Sequence, residues 1–253
     1  MTNIISSEFY KILRSKIFYV ISIVLLAINV IAFAIAEFVQ KSDRFSIEVK
    51  SNILNSGLGG YPRSFDGDGI LYIILIFTVS IVAANYTSGG IRQMACRGIA
   101  RWKLVLGQYI AVSSIITITM IVFGVIGVIL NTIVHKLGSV DTLSFIWMNL
   151  GLICIFWSIT GLGFLISYIF KSAGISIVIF FLLIIGLKLA SSILVTLTKN
   201  DIYAKFSLSN MKNTIIDLTS KTQEVLIFSI IFLAIGVISV LGSMLVFTKR
   251  DVN

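Results

Sequence analysis

From Leu104 to Val134 the chain runs for 31 residues without one Asp, Glu, Lys or Arg. As a helix this run rises about 46 Å, more than the roughly 30 Å of a bilayer's hydrocarbon core. It must tilt or project beyond the membrane. Five more apolar runs punctuate the sequence, so six spans are expected, over 17–36, 70–86, 109–132, 146–169, 174–197 and 225–247. A soluble domain is about a quarter charged. This chain is 12% charged and 57% hydrophobic, too little polar material to cover a water-soluble fold. One proline in the chain suits uninterrupted helices. The runs are continuous rather than alternating, which argues against a β-barrel. The expected fold is an all-α polytopic membrane protein. It has six transmembrane helices in a single domain over 1–253, an N-terminal interfacial helix over 1–16, and a cytosolic helix in the loop 87–103 between spans 2 and 3.

The net charge of +9 is read as orientation and attraction to anionic headgroups, with no nucleic-acid partner. An even number of spans puts both termini on one side. That side carries ten basic residues and two acids in about 45 positions, the other nine basic residues and nine acids in about 70. The basic density places the N- and C-termini in the cytoplasm. Ala34-Ile35-Ala36 has the form of a signal-peptidase site, but the preceding apolar run is long for a signal peptide and reads as span 1. Before it, Ile5, Phe9, Ile12 and Leu13 share one helical face, and Ser7, Lys11 and Arg14 another. This is the pattern of a helix lying in the membrane interface. Phe9, Lys11, Arg14 and Lys16 are its candidate contacts. On the outer side, 37–69 is a long polar loop with turn signals over 55–62, and 198–224 can form short surface helices.

Catalytic chemistry has little to work with. There is no G-x-x-x-x-G-K-[ST] loop, and no carboxylate lies within the expected spans. Cys96 and Cys154 fall in different environments, which suggests neither a disulfide nor a metal site. His135 reads as a solvated interface residue. Lys188 is the exception, placed well inside span 5 among Ile184, Ile185, Leu187 and Leu189. Three readings stay open: snorkelling toward the headgroups, a neutral lysine in a helix contact, or a substrate path where it meets an anionic group.

The turn between spans 4 and 5 is about four residues, so 87–103 is the inter-span cytosolic segment with room to contact another protein. It carries Arg92, Arg97, Arg101 and Lys103 and no acid. Ile91, Met94, Ala95 and Trp102 can share one helical face, and Gly98 ends or bends the helix. Three stretches then carry a resemblance: "GGIRQMACRGIARWKLVLGQYIA", the opening "SEFYKILRSKIF" and the ending "VFTKRDVN". Together they resemble permeases of type-2 ABC exporters over the whole chain. One departure is Gln108, where that family often has Lys.

The resemblance implies partners: a cytosolic ABC ATPase dimer that supplies ATP and Mg chemistry, and a second permease copy or sister permease in the lipid bilayer. It implies that Gly90, Ile91, Arg92, Met94, Arg97, Gly98 and Arg101 form an ATPase-coupling element, and that the chain holds no cofactor or nucleotide site of its own. The expected function is ATP-driven export of an amphipathic or hydrophobic substrate across a bacterial plasma membrane. The small size without an added domain points to a peptide toxin or antimicrobial peptide. The alternatives are an exporter of drugs or lipids, an ATP-independent immunity or scaffold protein, and a membrane enzyme.

Overall fold

The computed structural model describes residues 2–41, 56–87, 100–198 and 205–249, and shows no strand among them. The described helices are α1 (Thr2–Leu13), α2 (Lys16–Lys41), α3 (Gly60–Phe65), α4 (Gly69–Thr87), α5 (Arg101–Val134), α6 (Thr142–Phe170), α7 (Ala173–Thr198), α8 (Leu208–Ile216) and α9 (Thr222–Lys249). Six of them, α2, α4, α5, α6, α7 and α9, are long and apolar enough to cross a membrane. The protein is an all-α polytopic membrane protein.

Local chemistry explains the boundaries. Asp141 caps α6: its carboxylate accepts from the Ser144 backbone N–H at 3.0 Å and from the Ser144 hydroxyl at 2.8 Å. These bonds favour the charged form and hold its pKa below the usual aspartate value. At the other end Lys171 adopts φ 54°, the left-handed region, and its N–H closes the helix on Ser167 O. That turn lets α7 begin two residues later, at Ala173.

α6 is the hub of the bundle, and its closest partner is α9. A Cβ on Gly161 would lie 3.0 Å from Gly236 O, and one on Gly236 would lie 3.1 Å from Ser158 Cα. The backbones themselves are in contact there, as small residues permit between membrane helices. Phe156, Phe164, Phe180 and Phe232 are fully buried around this axis. α2 and α7 are the least enclosed spans.

The expected polar loop before span 2 contains a buried element. In α3, Tyr61 and Phe65 are 4% and 1% exposed. Phe65 packs edge to face on Phe123 of α5 and at a tilt on Phe156 of α6, at ring distances of 5.8 and 5.9 Å. The ring of Tyr61 lies over Gly124, and Gly127 faces Ser64 and Gly60 O. Bare α5 backbone at 124 and 127 is what lets α3 wedge in. From Tyr86 to Asp68 the chain climbs about 27 Å, while α6 climbs about 39 Å from Tyr168 to Thr142. α4 therefore stops roughly 12 Å short of its neighbours, and α3 and α8 fill the notch.

Two further differences from the sequence expectations have plain causes. α2 runs to Lys41 rather than ending near Ala36, which brings Glu37 into the helix. On α1 the buried residues are Glu8 and Ile12, whereas Leu13 is 44% exposed. The helix packs edgewise on α5, with Ile4 over Gly107, and that contact rotates the buried face toward Glu8.

Candidate functional site

The end of the bundle that carries α1 gathers a polar cluster from four helices. Glu8 is 1% exposed, a costly place for a carboxylate unless it is paired. Lys11, one helical turn on, meets Glu8 Oε1 at 2.8 Å and donates to Asn85 Oδ1 at 3.1 Å. Asn85 Nδ2 in turn donates to Glu8 Oε2 at 3.3 Å. The three side chains close a ring between α1 and the last turn of α4.

Beside this ring, Tyr168 of α6 donates to Gln108 Oε1 of α5 at 2.9 Å. Its ring lies 5.7 Å from Tyr86 of α4 and 5.2 Å from Phe247 of α9. The amide nitrogen of Gln108 is buried without a partner among the described residues.

Both stems of the loop between spans 2 and 3 lie at this end. Asn85 and Tyr86 fix the α4 stem. On the α5 stem, Arg101 Nη1 donates to Thr248 O at 3.4 Å, and Lys103 Nζ lies 5.5 Å over the Trp102 ring. Among the coupling residues expected from sequence, Arg101 is described and sits here. Gly90, Ile91, Arg92, Met94, Arg97 and Gly98 lie outside the described residues. On α1, Phe9 is partly buried against the core, Lys11 belongs to the ring, and Arg14 stacks over Tyr10 at 4.4 Å. Lys16 is exposed.

A second cluster occupies the notch at the opposite end. Asp68 precedes α4 and faces two lysines. Lys212 of α8 is 2% exposed and lies 3.8 Å from Asp68 Oδ1. It also donates to Phe65 O at 3.3 Å and to Gly67 O at 2.7 Å. Burial pulls the Lys212 pKa below the ordinary lysine value, against Asp68 and Asp66, which hold the proton on. Ser209 donates to Asp68 Oδ2 at 2.9 Å.

Lys188 of α7 reaches the same oxygen at 3.7 Å, with its side chain 65% exposed. The residue that residue-counting placed deep in span 5 is thus level with the start of α4. Nearby, Arg63 donates to Asn131 Oδ1 at 3.0 Å, and burial lowers its pKa against the pull of Glu37 and Asp66. His135, expected to be solvated, has Nε2 3.1 Å from Glu37 Oε1 and a side chain only 17% exposed. Extension of α2 is what brings Glu37 there. Among the described residues no group of three His, Cys, Asp or Glu side chains could hold a metal ion.

Several of these residues escaped the sequence reading. Glu8 opens the stretch that carries the N-terminal resemblance, but its burial was not foreseen; the usable signal was the i, i+3 spacing to Lys11. Asn29, Asn85 and Asn131 carried another, since an Asn in an apolar run needs a partner from another helix. Asn29 finds Phe123 O at 2.8 Å. Asp68 and Lys212 carried none, being 144 positions apart.

A family model, the ABC-2 family transporter protein, matches residues 4–187. The chain belongs to the ABC-2 transporter family. No curated protein matches it. The matched stretch runs from α1 into α7, so it includes both stems of the loop and Asp68, and it ends one residue before Lys188. As an ABC-2 family member the protein is a transmembrane subunit of an ABC exporter, multi-pass in the membrane, and its partner is an ABC ATPase.

Proposed function

We propose that this ABC-2 subunit exports an amphipathic or hydrophobic molecule, a peptide toxin or antimicrobial peptide, from a bacterial cell. It sits in the plasma membrane with both termini in the cytoplasm. It pairs with a second copy or a sister permease and is driven by two ATPases that bind the ATP and Mg. The observation that carries this reading is the ring of Glu8, Lys11 and Asn85. It clamps α1 to the stem of the basic loop, so a push on that loop moves α1 and α4 together.

In this mechanism Gly90 to Arg97 dock on the ATPase, with Ile91 and Met94 as the apolar contact and Arg92 and Arg97 supplying charge. ATP binding closes the ATPase pair and favours a different arrangement of the spans. The exposed apolar faces of α2 and α7 suit contact with lipid, cargo or a second permease.

Arg97→Glu tests the docking step. Membrane insertion should be unchanged, while ATPase capture on co-purification should fall roughly tenfold, as expected where attraction becomes repulsion. Unchanged capture together with unchanged transport would count against coupling through Arg97.

A further inference from the structure

Beyond Asn29 the far part of α2 has little packing to hold it. Asn29 itself is buried, donating to Phe123 O at 2.8 Å and accepting from the Ser64 hydroxyl at 3.2 Å. From Val30 to Phe38 none of the described side chains is buried, and Val30, Ile31, Ile35 and Phe38 are exposed. The helix ends at Lys41, about 18 Å past Asn29. Within that stretch Glu37 turns back toward the bundle. Its side chain is 14% exposed, and it meets His135, the residue that closes α5.

The form of that contact makes its strength depend on charge. His135 Nε2 is closed off from solvent and lies 3.1 Å from Glu37 Oε1, yet it has no aligned hydrogen-bond partner among the described residues. A misaligned N–H gains little as a hydrogen bond. What remains is attraction between opposite charges, which exists only while the ring is an imidazolium. Imidazoles as a class change charge between about pH 5 and 8, whereas carboxylates stay ionised there. The position adds to this. The His135 N–H closes α5 on Asn131 O at 2.9 Å, and the negative end of a helix favours a cation.

The neighbouring charges are of kinds that do not change over that window. Arg63 of α3 acts on the same Glu37 carboxylate and on Asp66, and exposed Lys136 follows in the chain. Arginine and lysine side chains keep their charge there, as aspartate does. Arg63 thus gives Glu37 a permanent cation, and the imidazolium adds a second that comes and goes. His135 is the one histidine in the chain, so no other imidazole answers to the same pH.

We propose that Glu37 and His135 form a pH-sensitive latch on the far end of α2. In acid the imidazolium draws Glu37 in, and α2 lies against α5. Toward alkaline pH the ring is neutral, and the end of α2 moves away more freely. One of the two least enclosed spans is thereby fastened or loosened by the acidity of the compartment at this end. Under the topology proposed above, that compartment is the cell exterior. In nanodiscs both faces meet one buffer, so the latch can be tested whichever way the chain is oriented and whatever it exports.

For the test, the full chain with Cys96→Ser and Cys154→Ser carries Ile35→Cys labelled with a trifluoroethylthio group, in phospholipid nanodiscs. Fluorine NMR should show two environments for the label. The ratio of closed to open should fall about fivefold from pH 5 to pH 8, the size that one partly exposed ion pair supports. His135→Gln and Glu37→Gln should each hold the ratio at or below its alkaline value at every pH. A ratio in the parent that ignores pH, or a pH response that survives in either variant, would overturn the proposal. The titration of the parent decides the matter even if neither variant folds.

Discussion

Asp68 faces two lysines that give up different amounts of water to reach it. Lys188 keeps a 65% exposed side chain, and an exposed ion pair contributes under about 1 kcal/mol. Lys212 is 2% exposed, and its ammonium serves Phe65 O and Gly67 O as well as Asp68. Removing one partner from a buried set costs about 3 kcal/mol. In detergent, Lys212→Met should therefore lower the melting temperature by roughly 6–12 °C, and Lys188→Met by only a few degrees. Equal losses would mean that the two ammonium groups are equally important to the fold. Lys188→Met also reports on the substrate-path reading. A variant of normal stability that transports less supports that role, and full transport removes it.

The helices differ in how much of their placement the sequence discloses. The six spans were legible because each is a continuous apolar run that water cannot accommodate. α1 was legible as a helix, but its rotation was not, since Glu8 is buried only by meeting Lys11 and Asn85, and Asn85 is 77 positions away. α3 read as a polar turn because Gly, Pro and Ser dominate it; what buries it is bare backbone on α5, which no local pattern reveals. The same distinction sets which helix contacts tolerate change. Gly236 faces the α6 backbone, with Ser158 Cα 3.1 Å from where its Cβ would be, whereas Gly186 on α7 has nothing within 4 Å. Gly236→Leu should force α9 off α6 and cost more than about 3 kcal/mol, seen as loss of a monodisperse peak on gel filtration. Gly186→Ala should be neutral or stabilising by up to about 1 kcal/mol. A tolerated Gly236→Leu would mean the two helices can separate without penalty.

At the scale of the whole molecule, the two polar clusters lie at opposite ends, and α4 joins them. α4 enters the ring of Glu8 and Lys11 through Asn85, and it begins just after Asp68, which holds α7 and α8. α4, the shortest span, is thus held at both ends. If it transmits movement between them, Lys11→Met and Lys188→Met should not be additive in transport. A double-mutant cycle should give an interaction above about 0.5 kcal/mol, although sites this far apart normally add within that margin. Strict additivity would show that the ends work separately.

The hold of Lys212 on the Phe65 and Gly67 carbonyls also constrains the order in which the protein can be made. The two partners are separated by 147 and 145 positions. At ribosomal rates of about 5–20 residues per second, the interval between their synthesis is on the order of 10 s. Throughout that interval the segment ahead of span 2 has been made and still lacks its lysine. During synthesis, then, the notch stands open, and the last third of the chain is what closes it.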